Sequence, residues 1–308
     1  MFLNEIKHYI FDLLFPSFCL GCHQEKGFIC DQCFNRIKIN KYPICAYCNQ
    51  RLVNGGYNNH KSCRKHTNLT GLIIAGFNDD QLLHKLIYAY KYNFIQELSI
   101  PLAKILIQST QNIFNNYDFE AHKAKNPITN NINSKNIIPL GKSIAQNICN
   151  NAGFERYDNQ NNHNAQNVVL ERKSIAQNIC NNAGFERYDN LLFTSVPLHP
   201  KRLNWRGFNQ SELLAKEISN YFHIPNNNQI LNRRYNTLPQ VKMPDRFERQ
   251  KNIKDAFEIN LENQSLIKSN VIFLIDDITT TGSTLEECAE KLKPFKPKQI
   301  WGMVLTKG

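Results

Sequence analysis

The 308-residue sequence predicts an α/β protein with a parallel sheet, preceded by a small zinc-binding module. Two observations predict this fold class. Residues 271–275, VIFLI, form an apolar and mostly β-branched run bounded by polar residues, which is typical of a strand buried on both faces of a parallel sheet. Before residue 64, cysteines recur in pairs separated by two residues, which is a spacing typical of zinc ligands.

Composition and charge limit the classes of function. The net charge of +11 suits acidic partners such as pyrophosphate, nucleic acid or a membrane surface, without choosing among them. No apolar run approaches the ~18 residues that suggest a membrane span. Glu5, Lys7 and Asp12 interrupt the start of the chain, so no secretory segment is expected and we predict a cytoplasmic protein.

Residues 2–14 place apolar side chains on one face of a predicted helix that ends before Pro16. We expect this helix to pack on the module that follows. A peripheral membrane contact is the alternative, although the polar face is not strongly basic.

Four ligand pairs define the predicted zinc module. They are Cys19 with Cys22, Cys30 with Cys33, Cys45 with Cys48, and His60 with Cys63. A tetrahedral zinc ion takes two such pairs, so the module is predicted to hold one or two structural Zn²⁺. The spacing leaves open which pairs share an ion and whether His66 replaces His60. A closed zinc site has no open position for catalysis, so a scaffold or docking role is expected.

Alternating strand and helix patterns follow in chain order. Residues 72–75 predict a strand and residues 82–90 a helix, and the pattern repeats with a strand at 191–196 and a helix from Ser211. A final strand is predicted at 300–305. Between these halves the chain is Asn-rich, and residues 142–159 recur identically as residues 173–190. We therefore predict a zinc module at 1–68, an α/β domain formed by 69–110 and 191–308, and a partly disordered insert at 111–190.

The strand at 271–275 leads into residues that suit a ribose phosphate. Asp276 and Asp277 follow it directly, at the edge of a parallel sheet where ligands bind. Next comes a turn of small and hydroxyl-bearing residues that opens a helix: Thr280, Thr281, Gly282, Ser283 and Thr284. Helix N-termini attract anions, and carboxylates hold sugar hydroxyls. The alternative is a strand followed by a helix with a capping box over 283–286.

The turn after the strand at 191–196 suits a diphosphate. It is predicted to expose N–H groups and carries two cations. Its candidate residues are Pro197, Leu198, His199, Lys201 and Arg202. For His199 the alternative is a turn histidine that is already hydrogen-bonded.

These segments resemble a known family. The run IDDITTTGST resembles the phosphoribosyl diphosphate (PRPP) loop of type I phosphoribosyltransferases, and VPLHPKR followed by RGFNQSELLA resembles the ComF competence-protein branch. The resemblance implies a type I phosphoribosyltransferase-like fold. It also implies that Asp276 and Asp277 hold the ribose, the turn 280–284 the 5′-phosphate, and 197–202 the diphosphate with Mg²⁺. A flexible loop is expected to close over the substrate, with these residues: Arg206, Asn209, Gln210, Gln240 and Arg249.

The same resemblance implies a role in natural transformation, with single-stranded DNA and the DNA-uptake machinery as partners. It favours His60 over His66 as a ligand, because related chains carry a fourth cysteine pair there. The resemblance implies phosphoribosyl transfer to an acceptor that the sequence does not reveal. The alternative is a DNA-binding or adaptor protein that uses the PRPP pocket for regulation.

Overall fold

The computed structural model describes residues 17–52, 59–116, 190–235 and 253–308. The predicted helix at 2–14 lies outside these ranges, as does nearly all of the predicted Asn-rich insert. The described elements in chain order are α1 (Asp31–Phe34), β1 (Gly71–Ile74), α2 (Gln81–Tyr92), α3 (Ser99–Asn116), β2 (Leu191–Ser195), α4 (Pro200–Arg206), α5 (Gln210–Phe222), β3 (Leu231–Arg233), β4 (Phe257–Ile259), β5 (Val271–Ile275), β6 (Ile278–Thr279), α6 (Ser283–Leu292), β7 (Gln299–Val304) and β8 (Thr306–Lys307).

The central sheet has four parallel strands in the order β1, β7, β5, β2, which confirms the predicted α/β class. All five residues of β5 are buried, as the uninterrupted apolar run predicts for an inner strand. In register across three strands lie Phe193, Phe273 and Trp301, whose neighbouring ring centroids are 5.4 and 6.5 Å apart. This aromatic row forms the centre of one face of the sheet.

Helices cover the sheet. The Asp80 carboxylate accepts the N–H groups of Leu82 and Leu83 at 3.1 and 3.0 Å, so α2 begins at a capped N-terminus. The α3 and α5 helices pack against each other, and α5 contacts β2 and β5. The α6 helix buries its apolar side in a cluster with the β3–β4 hairpin and the sheet.

Strand order places the two predicted ligand-binding segments side by side. Ser195, the last residue of β2, pairs with Ile275, the last residue of β5. Val196 N–H then donates to the Ile275 carbonyl at 2.9 Å. The segment after β2 and the two aspartates after β5 therefore leave the same edge of the sheet.

The zinc module is joined to the edge of this sheet. Ile44 pairs with Leu72 through two backbone hydrogen bonds of 2.9 and 3.0 Å, which covers the outer side of β1. The Ser109 hydroxyl of α3 donates to the Asn40 carbonyl at 2.5 Å. The α3 helix continues to Asn116, past residue 110 where the predicted domain segment ends.

Candidate functional site

Asp276 and Asp277, called the acid pair below, are held by short hydrogen bonds at the end of β5. Asp276 Oδ1 accepts from the Ser211 hydroxyl and from Asp277 N–H, both at 2.9 Å. Asp277 is 6% exposed, and its Oδ1 lies 2.9 Å from Lys91 Nζ. Lys91, at the end of α2, therefore turns inward to a carboxylate. Ser211 was missed by sequence reasoning, because only the fold brings the start of α5 to β5.

Burial and mutual repulsion disfavour the ionised form of the acid pair. Burial, together with the neighbouring Asp277 charge, raises the pKa of Asp276 to about 7, although Lys91, Asp277 N–H and the Ser211 hydroxyl act in the opposite direction. Burial and the Asp277 charge also raise the pKa of Tyr90, whose hydroxyl donates to the Gln210 carbonyl at 2.9 Å. A ligand that donates hydroxyl hydrogens to these carboxylates would favour the ionised form.

Residues 280–284, called the hydroxyl turn below, connect β6 to α6. Gly282 has φ of 82°, a left-handed conformation that favours glycine. The capping box over 283–286, the alternative interpretation of this segment, is not formed, because Gly282 is the N-cap and makes no side-chain hydrogen bond. Ser283 Oγ lies 2.6 Å from Thr281 Oγ1 instead. Glu286 is drawn away because its carboxylate binds residues 67 and 68. The turn thus lies at the start of a helix of ten residues.

The segment after β2 differs from the predicted exposed turn, because α4 begins at Pro200 and only Pro197, Leu198 and His199 precede it. His199 Nδ1 accepts Lys201 N–H at 3.2 Å, and the His199 carbonyl accepts Arg202 N–H at 2.8 Å. These N–H groups are therefore used within the helix start, and His199 acts as its cap.

Three residues predicted for the flexible loop lie in or next to helices: Arg206 is the last residue of α4, Asn209 caps α5 and Gln210 begins α5. Gly207, with φ of 80°, ends α4, and the Asn209 side chain accepts Ser211 N–H at 3.2 Å to cap α5. Arg206 Nη1 donates to Gln210 Oε1 at 2.6 Å. Gln210 is 1% exposed. Gln240 and Arg249, the other members of the predicted loop, lie outside the described residues.

Three arginines, called the cation cluster below, come from separate elements: Arg202 and Arg206 from α4, and Arg233 from β3. Burial, and then the Arg202 charge, lower the pKa of Arg233 to about 10. Burial, and then the Arg206 charge, lower the pKa of Arg202. The Asp276 charge acts on the pKa of Arg233 in the opposite direction, so these two side chains influence each other electrostatically. Mutual repulsion of this kind favours binding of an anion.

Two donors in this region are unsatisfied. Within the part of the chain that the structure describes, neither Arg206 Nε nor Gln210 Nε2 has a hydrogen-bond partner, and both atoms are buried. An unmade hydrogen bond of a buried donor costs about 1–3 kcal/mol. The two side chains contact each other next to Ser211, so the arrangement can accept an oxygen-rich ligand beside the acid pair.

The zinc ligands form two separate groups. The first zinc group consists of Cys19, Cys22, Cys30 and Cys33, and the second of Cys45, Cys48, His60 and Cys63. Neighbouring pairs therefore share a group, and His60 rather than His66 belongs to the second. Within each group all ligand atoms lie within 4.8 Å of one another.

The geometry of both groups fits tetrahedral zinc. Zn–S bonds of about 2.3 Å place two sulfurs about 3.8 Å apart. In the first zinc group, Cys30 Sγ lies 3.8 Å from Cys19 Sγ and 3.7 Å from Cys22 Sγ. In the second, Cys48 Sγ lies 3.3 Å from His60 Nδ1. These side chains suit structural Zn²⁺.

Backbone N–H groups lower the pKa of one cysteine in each zinc group. Burial alone would raise the pKa of Cys19, but N–H groups of Cys30, Cys22 and Gly21 lower it to about 6. Burial would also raise the pKa of Cys45, but N–H groups of Cys48, Tyr47 and His60 lower it to about 7. Zinc binds the thiolate form, so these N–H groups favour metal binding.

Comparison with known proteins finds a zinc ribbon family and several curated relatives. The double zinc ribbon domain family matches residues 10–65. Competence protein F of Haemophilus influenzae is 36% identical over 110 residues, covering 35% of this chain and 47% of that protein. The DNA utilization proteins YhgH of Escherichia coli K12 and Salmonella typhi are 36% and 37% identical over 114 residues, covering 36% of this chain and 48% of each relative.

These homologues confirm the predicted resemblance to ComF proteins and the N-terminal zinc ribbon. The chain spans about half the length of the curated relatives it matches. Among the described helices, none combines the length and the apolar character that a membrane crossing requires.

Proposed function

We propose that the chain is a phosphoribosyltransferase-like protein that binds PRPP and acts in DNA uptake. In this proposal a zinc module at 1–68 supports a phosphoribosyltransferase-like domain at 69–110 and 191–308, interrupted by the insert at 111–190. The sheet of four parallel strands, with the acid pair at its carboxyl edge, supports that fold assignment.

The observation that carries the proposal is the meeting of opposite charges at one sheet edge. PRPP contains ribose hydroxyls, which suit carboxylates, and phosphates, which suit cations and helix N-termini. Lys91 pairs with Asp277 at 2.9 Å, and the charges of Asp276 and Arg233 influence each other. Two buried donors, Arg206 Nε and Gln210 Nε2, lack partners among the described residues. A ligand with only hydroxyls or only phosphates would leave one of these features unused.

Each segment has a role in the proposed complex. The acid pair would accept the ribose hydroxyls, the hydroxyl turn would donate to the 5′-phosphate, and the segment 197–202 would face the diphosphate. The cation cluster would balance charge on the departing diphosphate while a nitrogen of the acceptor attacks C1. Gln240 and Arg249 would close over the ligand and exclude water.

Magnesium enters this proposal only with the diphosphate. Among the described residues, groups of three or more metal-ligating side chains are the two zinc groups. The acid pair is engaged with Lys91 and Ser211, and cations stand beside it. Mg²⁺ bound to the diphosphate would add neutralising charge, while the side chains present bind and orient the sugar.

The names of the relatives support the cellular role. One is named Competence protein F and the others DNA utilization proteins. We propose that this chain likewise acts in the uptake or use of DNA. The sugar-phosphate site would then serve catalysis on an acceptor or regulate the binding of a partner.

Isothermal titration calorimetry with PRPP and Mg²⁺ tests the proposed site. We expect one site per chain, and we expect binding to vanish in Asp276→Ala/Asp277→Ala. Pyrophosphate release is then measured with free bases and with single-stranded DNA as acceptors. Binding that persists unchanged in the double variant would overturn the proposal. Binding without pyrophosphate release from any acceptor would favour the regulatory role.

A second candidate function is binding of single-stranded DNA, because exposed aromatic rings occur near cations: Arg206 Cζ lies 5.9 Å from the Trp205 ring centroid. Tyr88, Tyr92 and Trp205 are 60, 47 and 65% exposed. Phe94 stands edge-on to Trp205 with centroids 5.0 Å apart, and its φ of 58° is unusual for a large side chain. Rings beside arginines bind unpaired bases by stacking, and the cations contact phosphates.

Fluorescence anisotropy with a labelled oligothymidine tests this candidate. Trp205→Ala is expected to weaken binding about tenfold, consistent with about 1–3 kcal/mol for one stacked base. Phe77→Ala, which removes another exposed ring, is the matched control. Affinity should fall steeply with salt. Equal affinity in both variants, or no binding at low salt, would exclude this surface.

A further inference from the structure

Glu286 joins the helix that follows the hydroxyl turn to the zinc module. Its carboxylate accepts three hydrogen bonds: from the Thr67 hydroxyl at 2.6 Å, from Asn68 N–H at 2.6 Å and from Asn68 Nδ2 at 2.8 Å. Its own N–H donates to the Gly282 carbonyl at 2.9 Å. One residue therefore contacts both the left-handed glycine of the turn and a segment more than two hundred residues earlier.

That earlier segment is tied to the second zinc group. Asn59, which precedes the ligand His60, is 2% exposed. Its Nδ2 donates to the Leu69 carbonyl at 2.6 Å, and its Oδ1 accepts Ala46 N–H at 2.8 Å, next to the ligand Cys45. Asn59 thus joins the sequence neighbours of two zinc ligands, Cys45 and His60, to the stretch that holds Glu286.

The residues just before the hydroxyl turn are also connected to this zinc group. The carbonyls of Asp277 and Thr279 accept N–H groups of Leu305 and Gly308 at 3.0 and 2.8 Å. Lys307 lies between these donors, and its Nζ donates to the side chain of Asn49. Asn49 closes the Cys45–Cys48 turn, because its N–H donates to the Cys45 carbonyl at 3.0 Å.

We propose that Glu286 is a positioning residue through which the second zinc group holds the hydroxyl turn in its anion-binding conformation. This inference rests on the proposed function for the identity of the ligand, but not for the link itself. The first zinc group contacts a different part of the domain, because its cysteines pack on Leu82 of α2 through apolar contacts. Control of the turn is therefore assigned to the second zinc group.

The link has a thermodynamic consequence. If zinc in the second group favours the ordered turn, a ligand bound at the turn must favour zinc retention by the same factor. Couplings of this kind are commonly about 5- to 150-fold. Zinc release and ligand affinity are then two measurements of one free energy. Glu286→Gln should reduce both, because an amide offers one acceptor oxygen in place of two and brings donors towards Asn68.

Hydrogen exchange measured by mass spectrometry tests the link without any ligand. The full chain is first shown by elemental analysis to hold two zinc ions. Amides of residues 280–284 in Glu286→Gln should exchange about tenfold faster than in the unaltered chain. Glu290→Gln, an exposed glutamate one turn later on α6, is the control and should leave exchange unchanged. Equal exchange in all three proteins would overturn the inference.

Two further measurements separate this inference from the proposed function. With PRPP as the probe, a chelator should extract zinc about tenfold more slowly from the unaltered chain when PRPP is present than when it is absent, and Glu286→Gln should lose this protection. If PRPP fails to bind but the exchange difference remains, the Glu286 link stands and the proposed ligand is wrong. If PRPP binds equally to both proteins and protects zinc equally in them, the link is refuted.

Discussion

The two halves of the candidate site are built in different ways. The acid pair and the hydroxyl turn lie within nine consecutive residues, 276–284, and backbone hydrogen bonds fix their ends. The opposite half draws its cations from separate elements. Those cations are Lys91 of α2, Arg202 and Arg206 of α4, and Arg233 of β3.

This difference predicts how each half responds to change. The acid half is continuous and preorganised, so each carboxylate has a role that no neighbour can take over. The cationic half shares its charge among several side chains, so removing one leaves others near the same phosphates. Acid substitutions should therefore cost more affinity than single cation substitutions.

The largest effect is expected for Asp277→Asn, which removes the buried carboxylate that pairs with Lys91. Loss of charge-assisted hydrogen bonds to ribose, worth about 1.5–3 kcal/mol each, should weaken PRPP binding about 100-fold. Calorimetry provides the measurement, and Asp79→Asn, at an exposed aspartate, is the control. A loss below about threefold would show that the acid half does not hold the ligand.

Arg233→Met should have a smaller effect, about tenfold, because two arginines of the cation cluster remain. The variant should also show a shallower decrease of affinity with salt, since one fewer cation contacts the ligand. Lys268→Met, at an exposed lysine, is the matched control. A loss as large as that of Asp277→Asn would contradict the shared-charge description of this half.

The pH dependence should reveal the raised pKa in the acid half. Because the pKa of Asp276 is raised to about 7, its carboxylate becomes fully available to ribose hydroxyls only above neutral pH. The ionised fraction of Asp276, and with it PRPP affinity, should rise about tenfold between about pH 6 and about pH 8. The ligand's own phosphates titrate equally with any variant, so the rise is measured as a difference from Asp276→Asn. Identical profiles would refute the raised pKa.

The same group affects stability with a defined sign. The folded chain holds the Asp276 proton at a higher pH than the unfolded chain does, so its contribution to the free energy of unfolding is greatest in acid. That contribution is lost as the pH rises from about 4 through about 7. Urea unfolding of the unaltered chain and of Asp276→Asn across this window measures the difference.

The smallest effect on affinity is expected for Lys91→Met. Loss of the ammonium removes one cation but frees an Asp277 oxygen, so PRPP affinity at high pH should change less than about threefold. The midpoint of the Asp276 profile should move upward, because the Lys91 charge lowers that pKa. Lys85→Met, an exposed lysine of the same helix, should leave the midpoint unchanged. An unmoved midpoint in Lys91→Met would show that the ion pair does not act on Asp276.

Sequence reasoning succeeded where the information is local. The buried strand β5, with its acid pair, and the two-residue spacing of the zinc ligands each lie within a short segment. The parallel sheet follows from such segments, because apolar runs of this kind require cover on both faces.

The remainder depends on contacts between distant segments. Ser211 reaches Asp276 across 65 positions, and Glu286 reaches Asn68 across 218. Neither contact leaves a spacing pattern in the sequence. The resemblance implied that Arg206 and Gln210 belong to a flexible loop, whereas Gly207 ends one helix and Asn209 caps the next.

The central claim is that both halves bind one ligand, and displacement calorimetry tests it most directly. Ribose 5-phosphate, pyrophosphate and PRPP are titrated separately, and PRPP is then titrated into chain saturated with each of the smaller ligands. The account predicts that PRPP binds at least about 100-fold more tightly than either part. It also predicts that each part competes with it. If PRPP binds no more tightly than pyrophosphate, and ribose 5-phosphate does not compete, the two halves do not form one site.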